Sequence, residues 1–154
     1  MVGRTRHDLE GVVLMGVVYC GPYADQVGYE HEGYAARVLP DGSLTGTWTA
    51  ETADFLGYVA ACACGWTGDT QYPPTDGGED EARAEWDRDH LQPLIERAER
   101  GWPAWAERVG GRAREVAGHV AAGRFSSAVL VLDRLVEDVG VWSRIARELA
   151  DERD

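Results

Sequence analysis

Two cysteines and a histidine dominate the chemistry open to this chain. Cys62 and Cys64 lie in the run Cys62-Ala63-Cys64-Gly65-Trp66-Thr67-Gly68, and His90 closes the run Glu85-Trp86-Asp87-Arg88-Asp89-His90. Residues two apart on an extended segment point to the same side, so the two sulfurs are presented together. Gly65 and Gly68 are expected to turn the chain sharply behind them. Two thiolates and an imidazole suit zinc, which takes four ligands in a structural site. The fourth donor is expected at His31, with Cys20 and His7 as alternatives, or a carboxylate from Asp89 or Glu85. The expected metal set is therefore Cys62, Cys64, His90 and His31, holding one structural zinc per chain. A three-ligand site with a bound water would be catalytic in form, but the sequence marks no residue as a base for that water. Two other readings stand beside this one. The cysteines could be small buried residues on the core face of a strand, with His90 on the inner face of a helix. They could also be a redox pair, although the usual dithiol has two intervening residues and opens a helix.

The elements that must position these groups are strands over the first 70 residues and helices thereafter. Tyr34 to Leu39 and Leu44 to Thr49 flank Pro40-Asp41-Gly42-Ser43, a turn in which Pro presets φ and Gly accepts a positive φ; together they predict a β-hairpin. Phe55 to Cys64 reads as a third strand, with Leu56, Tyr58, Ala60, Cys62 and Cys64 sharing one face. The stretch around Thr75 to Asp80 reads as an exposed loop, and Glu79, Asp80 and Glu81 as an acidic first turn that favours a helix start. Ala82, Trp86, His90 and Leu94 then form an i, i+4 stripe, which Pro93 is expected to kink or end just after His90. Trp102 and Trp105 read as packing residues. Farther on, Trp105, Val109, Ala113, Val116, Ala117 and Val120 form one apolar stripe. Ala128, Val129, Leu132, Leu135, Val136, Val139, Trp142, Ala146 and Leu149 form a second and longer one. The short link Ala122-Gly123-Arg124 favours an intramolecular helical hairpin, while residues 125–150 could also pair with a second copy in a homodimer.

The expected fold is α+β: a small antiparallel sheet, hairpin plus third strand, packed on one helix and followed by a C-terminal helical hairpin. Residues 1–100 form the α+β domain with its zinc knuckle, and 101–154 the hairpin or dimerisation extension. A 154-residue chain with 44% hydrophobic residues and six Trp can bury a substantial core. Its formal charge of −12 sets it against phosphate backbones and anionic lipid heads. All 15 basic residues are Arg, which reads as the bias of a GC-rich genome. Arg4 and Arg6 precede the apolar run Gly11 to Cys20, but Asp8 and Glu10 directly before it argue for a buried strand of Val12, Val13, Leu14, Met15, Val17 and Val18 over a secretion signal. No segment has the roughly 18 to 20 apolar residues that a membrane helix needs. Three cysteines make no disulfide framework, so a reducing cytoplasm is the expected location.

Gly57-Tyr58-Val59-Ala60-Ala61-Cys62-Ala63-Cys64-Gly65-Trp66, the Pro73-Pro74-Thr75-Asp76 loop and Glu85-Trp86 through His90-Leu91-Gln92-Pro93-Leu94 resemble a module of small actinobacterial proteins, over about Tyr34 to Ile95. Some chains similar to it continue into a helix-turn-helix segment. Val141 to Leu149 is similar to the first helix of such a unit, but a recognition helix would have to follow it, and the sequence gives no room for one. The resemblance implies regulatory ancestry and no particular activity. Phosphate-binding fingerprints are absent, since Gly77-Gly78 and Gly110-Gly111 fit neither a P-loop nor a dinucleotide turn. The expectation is a zinc-stabilised, non-enzymatic accessory or regulatory protein that works through a protein partner. A DNA-linked transcription regulator is the alternative and a zinc hydrolase the third reading.

Overall fold

A computed structural model describes residues 2–9 and 12–153, with side chains from Gly16 onward. The chain divides into two compact units, Met1–Glu96 and Arg97–Asp154. The fold is α+β.

In the first unit β1 (Val2–Leu9) and β2 (Val12–Tyr19) pair antiparallel along their whole length. The apolar run expected to be a strand is therefore β2; its partner β1 carries no clear apolar alternation. The expected burial of Val12, Val13, Leu14 and Met15 lies outside the described residues. A single helical turn, α1 (Ala24–Val27), leads to β3 (Gly33–Val38), whose N-terminal end touches β2 through Val17 and Gly33. The Pro40 to Ser43 turn forms as expected, with Gly42 at φ 84° and Asp41 accepting from the Ser43 backbone N–H at 2.9 Å. The returning strand β4 is only Leu44–Thr45, not Leu44 to Thr49. Arg37 explains the early stop. Its guanidinium lies 4.1 Å from the Trp48 ring centre and 4.4 Å from that of Phe55, and donates to Thr52 O at 2.9 Å, so the chain wraps around the cation instead of pairing.

The full-length partner of β3 is β5 (Gly57–Cys62), in the register Gly33↔Cys62 to Val38↔Gly57. The expected strand from Phe55 to Cys64 is thus shorter at both ends: Leu56 is exposed, and Cys64 lies in the turn beyond. β6 (Thr67–Tyr72) pairs with β5 and gives the sheet order β1-β2-β3-β5-β6, with β4 beside β3. Its sequence, Thr-Gly-Asp-Thr-Gln-Tyr, is mostly polar because most of it faces solvent, which hid it from an apolar-period reading. Gly68 is part of this strand and makes no turn. A Cβ there would press on the buried carboxylate of Glu85.

Helix α2 (Asp76–Trp86) covers one face of β3, β5 and β6. It starts earlier than the acidic turn suggests, because Thr75 caps it by accepting the Gly78 N–H at 3.1 Å. Gly78 is buried against the Pro73 carbonyl, where a Cβ would collide. Ala82, Ala35 and Tyr58 form the centre of this layer, flanked by Trp48, Phe55 and Tyr72. Trp86, 2% exposed, lies over Gly33, where a Cβ would overlap the indole ring.

The helix does not end at His90. One π-helical turn, Asp87–Leu91, carries it into α3 (Gln92–Glu99), with Gln92 N–H bonded to Asp87 O. Pro93 supplies the reason. A proline ring clashes with the carbonyl four residues back and offers no N–H to it, and a wider turn relieves both problems. The extra residue shifts the buried row: Leu91, five residues after Trp86, is fully buried, and His90 moves to the rim of that face.

The second unit is a helical hairpin of α4 (Gly101–Ala121) and α5 (Phe125–Asp151), turned by Gly123 at φ 69°. Pro103 sits in the first turn of α4, where a missing N–H costs nothing. Trp102 and Trp105 pack on Trp142, with ring centres 4.4 and 5.7 Å away, and an Arg112–Asp138 ion pair joins the helices further along. The two expected stripes each split. In the first, Trp105, Val109 and Val116 are half-buried while Ala113, Ala117 and Val120 are exposed; in the second, Ala128 and Trp142 are buried while Val129, Leu132, Val136 and Val139 are exposed. Val141 to Leu149 lies in the last part of α5, with Trp142 packed on Trp102 and Trp105 and Ile145 buried.

Because Gly33 leaves no room for a side chain under the indole, Gly33→Ala is expected to destabilise the fold by about 1–3 kcal/mol. Urea unfolding followed by Trp fluorescence measures this as a lower midpoint.

Candidate metal centre

Four side chains from three separate segments meet at one end of the β3–β5 pair. The β5–β6 connection is Ala63-Cys64-Gly65, closed by Gly65 N–H to Cys62 O and Cys62 N–H to Trp66 O, both 2.9 Å. Gly65 has φ 96°, a left-handed conformation that completes a three-residue hairpin loop. Cys62 is therefore the last strand residue and Cys64 sits at the loop tip. The β3–β5 register runs on past Gly33, since Ala63 N–H donates to Glu32 O at 2.8 Å, and this brings His31 alongside the loop. The π-turn supplies His90 from above.

His31 Nδ1 lies 3.1 Å from His90 Nε2 and 3.9 Å from Cys62 Sγ, and Cys64 Sγ lies 3.3 Å from His90 Nε2. All four donor atoms fall within 4.8 Å of one another. A tetrahedron with metal–sulfur bonds of about 2.3 Å and metal–nitrogen bonds of about 2.0 Å has edges of about 3.3 Å for N···N, 3.5 Å for N···S and 3.8 Å for S···S. The 3.1 Å N···N separation and the 3.9 and 3.3 Å N···S separations lie within about 0.4 Å of those edges, and the donors can hold a metal ion. Cys62 is buried, the two histidines are half-buried and Cys64 is exposed, so the centre lies at the surface with one side sealed.

The surroundings fix the histidines. Trp66 stacks on His90, ring centres 4.7 Å apart and planes 15° from parallel. The other ring nitrogen of His31, Nε2, is 3.9 Å from the Glu30 carboxylate, a group placed to favour the tautomer that leaves Nδ1 free as a ligand. Burial pushes the Cys62 thiol up to about 11; the Cys64 backbone N–H and the Trp86 indole N–H pull it down, and the Cys64 side chain adds to the rise. Burial, and then the neighbouring His31, lower the pKa of His90. Without a cation the protein thus favours a neutral thiol and a neutral imidazole. A divalent cation with two thiolates and two neutral imidazoles would also be neutral overall, which suits a half-buried position.

Of the expected donors, Cys62, Cys64, His90 and His31 come together. The alternatives lie elsewhere: Asp89 is held by Arg88 through paired hydrogen bonds of 2.7 and 2.8 Å, Glu85 is buried against Gly68, and Cys20 Sγ faces Val18 O. The side chain of His7 lies outside the described residues. Trp66 is the site residue that ligand spacing could not find. Its only signal is an aromatic placed directly after the knuckle glycine.

Comparison with protein families, with curated proteins and with solved structures finds no match to this chain.

Removing the stacked ring should loosen His90 without removing a ligand. Trp66→Ala is expected to weaken metal binding about 2- to 10-fold, the worth of an aromatic pair, whereas His90→Ala should abolish stoichiometric binding. Competition with a chromophoric chelator separates the two.

Proposed function

We propose that the chain is a zinc-stabilised, non-catalytic binding protein that serves as an accessory or regulatory component through contacts with another protein. The convergence of four protein donors within 4.8 Å of one another supports this reading most directly. Two thiolates and two imidazoles are a donor set of structural zinc sites, and a full protein shell leaves no position for a reacting water, which a zinc hydrolase would need.

The location of the donors supports a clamp. His31 precedes β3, the cysteines close the β5–β6 hairpin and His90 rides on the helix that covers the sheet, so one ion would tie both layers together. Metal that binds only the folded site adds its binding free energy to folding. The charge distribution bears on the partner. The first unit holds 17 acidic and 5 basic residues, and the hairpin holds 10 of each, so the whole net charge of −12 resides on the clamped unit. Such a surface favours a basic protein face and works against phosphate backbones.

Elemental analysis of protein purified without an affinity tag should find about one zinc per chain, lost in Cys64→Ser and retained in Cys20→Ser. Where the metal-free chain still folds, free zinc at about 100 times its dissociation constant should add about 2.7 kcal/mol to stability. Native protein without metal, or metal retained by Cys64→Ser, would overturn the clamp.

A further inference from the structure

The helical hairpin carries a second apolar face that its own two helices leave uncovered. On α5, Phe125, Val129, Leu132, Val136 and Val139 recur at intervals of four, three, four and three residues, and all are exposed, Val136 by 68%. This is a coiled-coil seam. On α4 the same spacing picks out Ala106, Gly110, Ala113, Ala117 and Val120, a row of small residues ending in one valine. The rows that hold the hairpin together are different ones, including Trp105 and Arg112 on α4 and Trp142 and Asp138 on α5.

At about 100° of rotation per residue, each outer row lies roughly 110° round its helix from the inner row, in the same rotational sense on both helices. The helices are antiparallel, so equal rotations bring the two outer rows onto the same face of the hairpin. That face has a ridge of large side chains on α5 beside a shallow groove on α4.

We propose that this face is covered by a second copy of the same chain, forming an antiparallel four-helix bundle with the ridge of each copy in the groove of the other. A ridge beside a groove is self-complementary under a twofold axis, as an isologous dimer requires. An axis parallel to the helices lays α5 of one copy antiparallel to α4 of the other, at the levels the hairpin already uses. Those levels are set by the Arg112–Asp138 ion pair and the Trp105–Trp142 contact. At those levels Asp133, on the outer rim of the α5 ridge, falls within about one helical turn of Arg114 of the partner subunit. That pair repeats between copies what Arg112 and Asp138 do within one. The hairpin's 10 acidic and 10 basic residues give it no net charge to oppose pairing, unlike the acidic first unit.

The inference names a partner for the helical unit and is independent of the metal. Sedimentation of the full native chain at micromolar concentration should show a dimer. Val136→Asp places two carboxylates in the seam and should raise the dimer dissociation constant about 100-fold or more, with unchanged helical circular dichroism and unchanged zinc content, so that failure of the dimer and failure of the clamp are read separately. Asp133→Arg and Arg114→Asp should each weaken the dimer and together restore it. A native chain that stays monomeric, or a dimer indifferent to Val136→Asp, would overturn the proposal and leave the face to a different protein.

Discussion

The approach of Trp86 to the bare backbone of Gly33 sets the geometry on which the site depends. With no side chain at Gly33, the indole lies directly on the sheet, and the separation of α2 from β3 and β5 is fixed by one ring thickness. Gly33 is paired with Cys62, so the same contact locates the helix over the strand end that carries the thiol. His90 follows Trp86 by four residues and inherits that placement. A bulkier residue at position 33 would move the helix outward and carry the imidazole away from both sulfurs.

The π-turn is the second part of this arrangement. An unbroken α-helix through Trp86 would keep the buried row at 82, 86 and 90 and direct His90 under the helix. The extra residue gives the buried position to Leu91, which anchors the segment, and leaves His90 at the edge, where it can share its nitrogen with the knuckle. Pro93 therefore has a constructive part: its missing N–H makes the wide turn the less costly local choice. The burial that raises the Cys62 thiol gives the cluster a use for a cation, since only a neutralising charge makes a thiolate tolerable there.

The donor set was legible in the sequence because sulfur and imidazole are rare and their spacing is constrained by few alternatives. His31 could be named as the fourth donor because it directly precedes the first hairpin, with His7 an alternative; the β3–β5 register, a long-range property, decides its place beside Cys62. The tight turn at Gly42, the helical hairpin and the strand β2 were also legible, since each is announced by local turn chemistry or apolar period. What was not legible depends on contacts distant in sequence. β6 is polar because it is exposed, β4 is cut short by the Arg37 cation among aromatic rings, and Thr75 overrides two glycines by capping them. Spacing alone merges each apolar stripe of α4 and α5 into a single face; a stripe wider than one helix contact is two rows, and only the burial of Trp142 beside the exposure of Val136 separates them.

The two units answer opposite physical demands. The first concentrates acidic charge on a sheet with one covering helix, and a cation held by the cysteines and histidines would join strand end to helix and offset part of that repulsion. The second has balanced charge and more apolar surface than two helices can bury. Excess charge keeps copies apart, and excess apolar surface draws them together. Placing each on its own unit leaves the hairpin without the net charge that would oppose the proposed pairing, a division that a uniform spread of the same residues would not permit.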